Sequence, residues 1–328
     1  MGAVQHDLPF TSPWLLAPME GVTDPVFRGL ILGRHDSGHL GGAFTEFVRV
    51  IDTPLHRRVL RRHLGLERFS TPVGLQLMGS HLPALAGTAE RVAELGVPLL
   101  DLNFGCPAKG ALRGCAGSAL LLDPRALEEV VRVCVDAVDG RIPVSAKIRA
   151  GYDDALLVEE LARAAEAGGA AMLTIHCRTR AEGYQLETDW SRIARAVAAV
   201  RIPTCGNGGI GSNQDLERMR SQTGCEFAMV GHGALANPWI FSGGQVTPEH
   251  ALGFLFEYVE RMLAIGRRPH SAMARLKQLI RVWKAGDLIP DEATRLACLR
   301  EKQLDGLQDR LADLAQAPRA TSASSATP

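Results

Sequence analysis

The chain has 328 residues, of which 46% are hydrophobic and 34 are glycine, and its formal net charge is zero. This composition excludes general disorder and is typical of an α/β enzyme with glycine-rich loops. The length exceeds that of most single cores unless the core is a barrel, alone or with a small additional domain. Because the net charge is zero, only local clusters of charge can indicate a polyanionic partner.

Cysteine content and hydropathy exclude further classes. Seven cysteines, an odd number without a CxxC pair, argue against a disulfide framework and a tetrathiolate zinc site, so we expect no metal. No charged N-terminus leads into an apolar signal region, and no apolar run reaches the roughly 18 residues of a membrane span. We therefore expect a cytoplasmic protein without a membrane partner.

Short apolar runs alternate with stretches of helical spacing and predict eight strands. The runs are Trp14–Ala17, Ala43–Phe47, Val73–Leu77, Leu99–Asn103, Val144–Ile148, Met172–His176, Ile202–Cys205 and Phe227–Val230. Eight alternating strand–helix units predict an α/β fold of the (βα)8 TIM-barrel type. A doubly wound sheet is the competing fold, but it gives no reason for eight near-regular repeats.

Helix-capping residues support the segments between these runs. Asp123 followed by Pro124 predicts the start of one helix, with proline at its first position. Asp154 is expected to cap a helix that stops at Gly168, and Asn213 is expected to cap a later helix that contains Leu216 and Met219.

A parallel barrel carries its chemistry at the C-terminal ends of its strands, which we call the rim. Every predicted strand is followed there by polar residues or glycine. A single buried Gln or Lys is more often a satisfied core group, but so many polar residues at one rim indicate a site. The rim residues singled out are Ala17, Pro18, Met19, Glu46, Gln76, Asn103, Lys147, Arg149, His176, Arg178, Asn207, Gly208, Gly209, Gly231 and His232.

A cysteine follows the fourth strand directly. Cys106 lies between Gly105 and Pro107, and these neighbours favour a rigid loop that aims the thiol from the strand end. A structural cysteine in a tight turn is the alternative, but the other strand ends favour a functional thiol. Lys109 follows and opens a run of small residues.

Two glycine-rich ends predict a phosphate site. The segments 206–211 and 231–233 offer closely spaced backbone N–H groups after strands seven and eight, where barrels commonly bind phosphate. Lys147 and Gln76 supply a cation and an amide for a flat ring that becomes negative on reduction. Together they predict flavin mononucleotide (FMN), and the absence of a GxGxxG motif makes a dinucleotide less favoured.

These motifs resemble the tRNA-dihydrouridine synthase family. The resemblance is carried by Ala17-Pro18-Met19, by residues 103–107 with Lys109, and by four further motifs: Lys147-Ile148-Arg149, His176-Cys177-Arg178-Thr179, Gly206-Asn207-Gly208-Gly209 and Gly231-His232-Gly233-Ala234-Leu235. Residues 17–22 and 44–50 resemble the bacterial C-type branch, which reduces the uridine at tRNA position 16. One departure is His232, where the family usually has an arginine near the flavin phosphate.

The resemblance implies an FMN enzyme that reduces the C5=C6 bond of a uridine in tRNA, with NADPH as the electron donor. Reduced flavin would supply the hydride to C6. Cys106 is the expected proton donor to C5, because a thiol with an ordinary pKa of about 8.5 is protonated at neutral pH yet ionises readily. Asn103 is expected to hold the uracil edge, and Lys147 the negative charge of the flavin. His176 and Arg178 would contact the flavin phosphate or the nucleotide. The residues expected to bind the cofactor are Ala17, Pro18, Met19, Gln76, Asn103, Lys147, His176, Asn207, Gly208, Gly209, Gly231 and His232.

The sequence after residue 247 predicts a second, all-helical domain. We expect a catalytic barrel at 1–243, a tRNA-binding helical domain at 247–317 and a disordered tail at 318–328. Between Arg261 and Lys284 there are seven Lys or Arg and no Asp or Glu, with His270 and Trp283 among them. This pattern favours a phosphate-contacting face over a merely solvated one. Residues 57–68 carry a second basic cluster.

The residues expected to contact tRNA lie at the rim and in this basic stretch: Glu46, Lys109, Arg149, Arg178, Arg275, Lys277, Arg281 and Lys284. The last three are expected to share one helical face. Two alternatives remain open: an FMN barrel that reduces a small-molecule enone or pyrimidine, and a non-catalytic tRNA-binding protein. The first leaves the basic extension unexplained, and the second leaves Cys106 without a purpose. We expect a monomer.

Overall fold

The computed structural model describes residues 8–107, 116–183 and 188–317. The chain divides into two compact units. One runs up to Ala234 and also contains Pro238–Gly243, and the other contains Leu235–Asn237 and the residues from Gly244 onward. The first unit holds all the strands among the described residues.

One parallel sheet contains these strands. They are β1 (Trp14–Leu16), β2 (Gly42–Phe44), β3 (Val48–Arg49), β4 (Val73–Met78), β5 (Leu100–Phe104), β6 (Val144–Arg149), β7 (Met172–His176), β8 (Thr204–Asn207) and β9 (Phe227–Val230). The order is β2-β1-β9-β8-β7-β6-β5-β4-β3, and β2 also pairs with β4. The sheet is therefore closed into a barrel, and the predicted (βα)8 TIM-barrel fold is confirmed.

The second strand of the barrel differs from the continuous run that the sequence predicts. Its backbone pairs with the start of β4 through β2 and with the end of β4 through β3, and it leaves the ladder between them. The Thr45 side chain fills the gap, because its Oγ1 accepts a hydrogen bond from Gln76 N at 3.1 Å. The Glu46 carboxylate instead accepts from Val22 N at 3.1 Å, and so ties the break to the loop after β1.

Alternate residues of each strand face the barrel interior, and their polarity changes along the strands. The deeper layer is apolar and forms one cluster: Leu15, Ala17, Phe44, Leu99, Met172, Cys205 and Met229. Two residues further along three of these strands, the same faces carry Asp101, Thr174 and Asn207, all buried. The interior therefore changes from apolar to polar on approaching the rim.

The helices of the first unit follow the strands: α1 (Pro25–Leu32), α2 (Arg57–Leu64), α3 (Leu82–Glu94), α4 (Pro124–Val138), α5 (Val158–Ala167), α6 (Ser191–Ala199), α7 (Asn213–Thr223) and α8 (His232–Ala236), which follows β9 and extends into the second unit. A short 3-10 helix, Gly117–Leu122, precedes α4.

One of the three predicted caps of these helices is confirmed. Asp123 caps α4 by accepting from Arg125 N and Ala126 N, with proline at the first position. The cap predicted at Asp154 is wrong: α5 begins at Val158 without a side-chain cap, and Asp154 accepts from Leu156 N in a local turn. The prediction for α7 is also wrong, because Ser212, one residue before Asn213, forms a capping box with Asp215.

The second unit is helical, with α9 (Pro248–Ala264), α10 (Pro269–Ile280), α11 (Glu292–Arg300) and α12 (Leu304–Gln316). Its core contains Trp283, which is fully buried and donates from Nε1 to Ala285 O. None of the helices in the described ranges is long and apolar enough to cross a membrane.

Candidate active site

The Cys106 loop is held from both sides by hydrogen bonds to its backbone. Asn103 Oδ1 accepts from Gly105 N and from Cys106 N, each at 2.9 Å. The carbonyl of Cys106 accepts from Ser118 N at 3.1 Å and from Ser118 Oγ at 2.9 Å. These four hydrogen bonds fix the backbone of the loop directly after β5.

Gly117 permits the close approach of the 3-10 helix to this loop. It has φ +61°, a conformation that favours glycine. A Cβ there would lie 2.9 Å from Cys106 O and 3.2 Å from Met78 Sδ. The Cys106 side chain is 8% exposed and packs against Met78, with Phe47 beside them. The thiol is therefore buried against apolar side chains at the C-terminal end of β5.

Arg149 also supports the loop. Its buried guanidinium donates from Nε to Gly105 O at 2.8 Å and from Nη1 to Thr179 O at 3.0 Å. The side chain thus links the cysteine loop after β5 to the loop after β7. Its expected contact with tRNA stays a prediction, whereas its bracing of the Gly105 carbonyl is a role that the sequence did not indicate.

A chain of side-chain hydrogen bonds continues from Asn103 into the barrel. Asn103 Nδ2 donates to Gln76 Oε1 at 2.8 Å, and Gln76 Nε2 donates to Asp101 Oδ2 at 2.6 Å. The other carboxylate oxygen of Asp101 accepts from Ser145 Oγ, also at 2.6 Å. Gln76 and Asn103, both expected at the flavin, are therefore also parts of one network that ends at the Cys106 loop.

Asp101 is a fully buried carboxyl group. Burial raises its pKa to about 6, although the hydrogen bonds from Ser145 and Gln76 and the charge of Lys147 act in the opposite direction. Between pH of roughly 4 and 6 the folded state binds a proton that the unfolded chain has lost. The charged form of Asp101 therefore reduces the stability of the fold at neutral pH.

No role was predicted for Asp101 or Ser145, although the sequence contains a signal for Asp101. An aspartate inside the apolar run 97–102 is unusual, and the strand period places it on the same face as Asn103. Its partners could not be read from the pattern, because Gln76 and Ser145 come from two other strands.

Cationic groups gather at the ends of β6 and β7. Burial, and after it the neighbouring charge of Arg149, lower the pKa of Lys147 to about 8, although the charge of Asp101 acts in the opposite direction. His176 is buried, and its pKa lies well below the ordinary value, first because of burial and then because of Lys147, Arg149 and Arg178. Its Nδ1 accepts from Arg178 N at 3.1 Å, so the neutral ring has a fixed orientation.

His232 begins α8, just after β9, and the charge of Arg178 in the same cluster acts on it. Partial desolvation and then the charge of Arg178 lower its pKa. The lowered pKa reflects repulsion between a protonated His232 ring and Arg178. An anion bound beside the two side chains would relieve it, which is the chemistry expected of a phosphate site.

The ends of β8 and β9 carry the predicted glycines. Gly208 and Gly209 have φ +103° and +77°, and the Gly208 carbonyl accepts from Trp190 Nε1 at 2.9 Å. Asn207 is buried and donates from Nδ2 to Met229 O at 2.7 Å, so it ties β8 to β9. A Cβ at Gly231 would come no closer than 3.4 Å to Met19 Sδ, which is ordinary contact.

The loop after β1 contains the remaining predicted cofactor residues. Ala17 is buried, and Pro18 and Met19 are half-buried at the rim. Met19 N donates to Thr23 Oγ1 at 2.8 Å, which fixes the turn. Lys109 lies outside the described residues.

The basic stretch of the second unit departs from prediction. Helix α10 ends at Ile280, so Lys284 lies beyond it and the expected shared face with Lys277 and Arg281 is wrong. Lys277 Nζ donates to Glu301 O, and Arg275 Nη1 donates to Gln278 Oε1. Arg281 and Lys284 are exposed. Trp283, which the charge pattern placed among them, is a core residue.

The class of protein follows from this geometry. The parallel barrel is closed, and the C-terminal ends of its strands carry the cysteine loop, the polar network and the clustered cations. These features define a TIM-barrel enzyme with a polar site at its rim. In the described part of the chain, no group of three or more His, Cys, Asp or Glu side chains is placed to hold a metal ion.

Comparison with known proteins gives the family. The family model described as dihydrouridine synthase (Dus) matches residues 15–278. The chain belongs to the dihydrouridine synthase family.

Several relatives are similar over most of their length. The tRNA-dihydrouridine(16) synthase of Cupriavidus necator is 41% identical over 231 residues, which cover 69% of this chain and 71% of that protein. The protein of the same name from Ralstonia nicotianae is 36% identical over 86% of this chain and 91% of its own length. The Haemophilus influenzae tRNA-dihydrouridine(16) synthase is 40% identical, covering 68% and 74%.

A substitution at Gly117 tests the packing of the loop. Gly117→Ala forces a left-handed alanine and a Cβ against the Cys106 carbonyl, so we expect it to lower the free energy of unfolding by about 1–2 kcal/mol. Gly253→Ala in α9 is the matched control, because a Cβ there meets nothing within 4 Å. Urea denaturation of both variants measures the difference. Equal midpoints would show that Gly117 is not a required glycine.

Proposed function

We propose that this enzyme reduces the uridine at position 16 of tRNA to 5,6-dihydrouridine. Membership of the dihydrouridine synthase family supports the reaction, and the relatives named tRNA-dihydrouridine(16) synthase support the position. The observation that carries the proposal for this chain is the Cys106 loop, a thiol held at the rim by Asn103 and Ser118. Such a substrate would place the enzyme in the cytoplasm, and we propose that it acts as a monomer.

FMN is the proposed cofactor, and the donor set at the rim fits it. Lys147 and Arg178 provide positive charge, which suits a phosphate and a ring that becomes anionic on reduction, and the neutral ring of His232 can donate a hydrogen bond. Gln76 provides an amide, and the left-handed Gly208 and Gly209 turn the backbone at the end of β8. Bound FMN, reloaded by NADPH, would supply the hydride for C6 of the uracil.

We assign to this chain the transfer of the proton that the reduced uracil needs at C5. Cys106 would donate it to C5 of the uracil from the C-terminal end of β5. Asn103 uses its Oδ1 on the loop and one Nδ2 hydrogen on Gln76, which leaves a second Nδ2 hydrogen for the expected uracil contact. Arg149 keeps the Gly105 carbonyl fixed, which restrains the backbone that carries the thiol.

Contacts with the tRNA backbone are proposed at exposed arginines and lysines. In the second unit these are Arg281 and Lys284, rather than Lys277, which bonds to Glu301 O. Helix α2 of the barrel carries Arg58, Arg61 and Arg62, all exposed, and no acidic residue in its sequence. Phosphate contacts of this kind position tRNA without reading its bases.

The two alternative functions are less supported. A reductase of small molecules leaves both basic clusters without a ligand. A non-catalytic tRNA-binding protein leaves unexplained why charges as costly as those of Asp101 and Lys147 are buried at the rim.

Cofactor identity is tested directly. The purified protein is expected to be yellow, and heat denaturation should release FMN. Liquid chromatography of the released chromophore against FMN, FAD and riboflavin measures it. FAD, or no flavin after incubation with FMN, would contradict the proposed cofactor.

The acid role of Cys106 is tested by Cys106→Ala. This variant should keep FMN and bind tRNA, yet form dihydrouridine at least about 100-fold more slowly, as expected for loss of a positioned proton donor. Cys134→Ala is the control, because Cys134 is buried in α4 and its burial raises the thiol pKa to about 12. Mass spectrometry of tRNA at position 16 gives the rate, and equal rates in the two variants would refute the role.

The tRNA contacts are tested by salt dependence. Arg281→Ala/Lys284→Ala should flatten the slope of log affinity against log salt by about 1.4–1.8, because each lost phosphate contact removes roughly 0.7–0.9 of slope. Arg58→Ala/Arg62→Ala should do the same. The control Arg125→Ala/Arg163→Ala removes two exposed charges on α4 and α5. Parallel slopes for test and control would mean that these faces are only solvated surface.

A further inference from the structure

We infer that Asp101 is a positioning residue for Cys106: its carboxylate sets the direction of the hydrogen-bond chain, through Gln76 and Asn103, that holds the cysteine loop. The inference rests on the proposed role of Cys106 as proton donor. It concerns a residue two positions before Asn103 on β5, below the rim.

The direction of this chain follows from its two ends. At the loop end, the backbone N–H groups of Gly105 and Cys106 can only donate, so Asn103 must present Oδ1 to them. Asn103 then has only its Nδ2 for Gln76, whose Oε1 must accept. Gln76 therefore presents Nε2 to Asp101.

An ionised carboxylate is the group that enforces the same direction from the other end. It can accept but not donate, so it permits only the Nε2 hydrogen of Gln76 to face it. A protonated or amidated Asp101 can donate as well, and then accepts either orientation of the Gln76 amide. A flipped Gln76 would turn an N–H toward Asn103 Nδ2 and disturb the bonds to the loop.

The unfavourable free energy of burying the Asp101 carboxylate supports a functional role for this residue. The carboxylate is fully buried, and the hydrogen bonds that it accepts, two of them from side chains at 2.6 Å, do not offset its loss of hydration. A group kept only for stability would be uncharged there. The ionisable groups that face Asp101 are Lys147 on β6 and Cys205 on β8.

Neither Lys147 nor Cys205 has a pKa in the range of roughly pH 5 to 7, where Asp101 changes its protonation state. The pKa of Lys147 is about 8, and burial holds that of Cys205 well above its usual range. The pKa of His176, beside Lys147, lies well below 6.5. Between pH of roughly 5 and 7, Asp101 is thus the group in this network whose protonation changes.

Amide hydrogen exchange tests the inference in the purified full-length protein. The exchange of the Gly105 and Cys106 amides, measured by mass spectrometry at pH 8, reports whether Asn103 Oδ1 still holds them. We expect Asp101→Asn to increase their exchange rate at least about 10-fold, with thermal stability equal to or above that of the wild type. The kcat for dihydrouridine should fall at least about 10-fold, with little change in KM for tRNA.

Ser145→Ala is the matched control. It removes the bond to Oδ1 of Asp101 but leaves Oδ2 to accept from Gln76, so protection at pH 8 should match the wild type. Because that bond stabilises the carboxylate, its loss should raise the pH at which protection disappears. Equal loss of protection in the two variants at pH 8 would overturn the inference, since it would indicate general loosening.

The wild type provides a test that needs no substitution. Relative to the intrinsic exchange rates, protection of the two amides should fall at least about 10-fold from pH 7.5 to pH 5 in the wild type. Protection in Asp101→Asn should not change over this range. A wild-type protection that is constant with pH would refute the inference even if Asp101→Asn does not fold. Exchange is measured without tRNA, so failure to form dihydrouridine would count against the proposed function alone.

Discussion

Closure of the barrel depends on the pairing of two three-residue strands, β1 and β2, which join β9 to β4. Trp14–Leu16 pairs in parallel with Gly42–Phe44 on one side and with Phe227–Val230 on the other. Without this strand the sheet would have two open edges, and the first and last loops of the rim would have no fixed relation. The closed parallel register brings the polar ends of all the strands to one face. The Cys106 loop, the cation cluster and the glycine turns are close to one another for this reason alone.

Most of this arrangement could be predicted from the sequence, because it depends on local patterns. Apolar runs gave the strands to within one or two residues in most cases, and Asp123-Pro124 gave the start of α4. The break in the second strand could not be predicted, since Glu46 and Phe47 continue a pattern that a strand would also show. Thr45 replaces the missing ladder bond through a partner on another strand.

Partners distant in the sequence explain the other differences. Gln76 and Asn103 were expected at the flavin, and their bonds to Asp101 and to the cysteine loop depend on strand neighbours that composition cannot reveal. The predicted basic face failed because α10 stops at Ile280, and Lys277 bonds instead to a carbonyl of the segment after α11. In each case the residue type was informative, but its contact was determined by tertiary packing.

The apolar-to-polar change along the barrel interior separates the residues that determine stability from those that determine the chemistry of the rim. Leu99 and Met172 lie in the apolar cluster, whereas Asn103 and His176 on the same strands serve the rim. Four residues of strand separate the two levels, a rise of roughly 13 Å. Drift in the lower cluster can therefore alter stability while the reacting groups keep their positions, and the loops above can diversify without unpacking the core. A barrel built in this way can acquire a new substrate during evolution while its core and its fold stay the same.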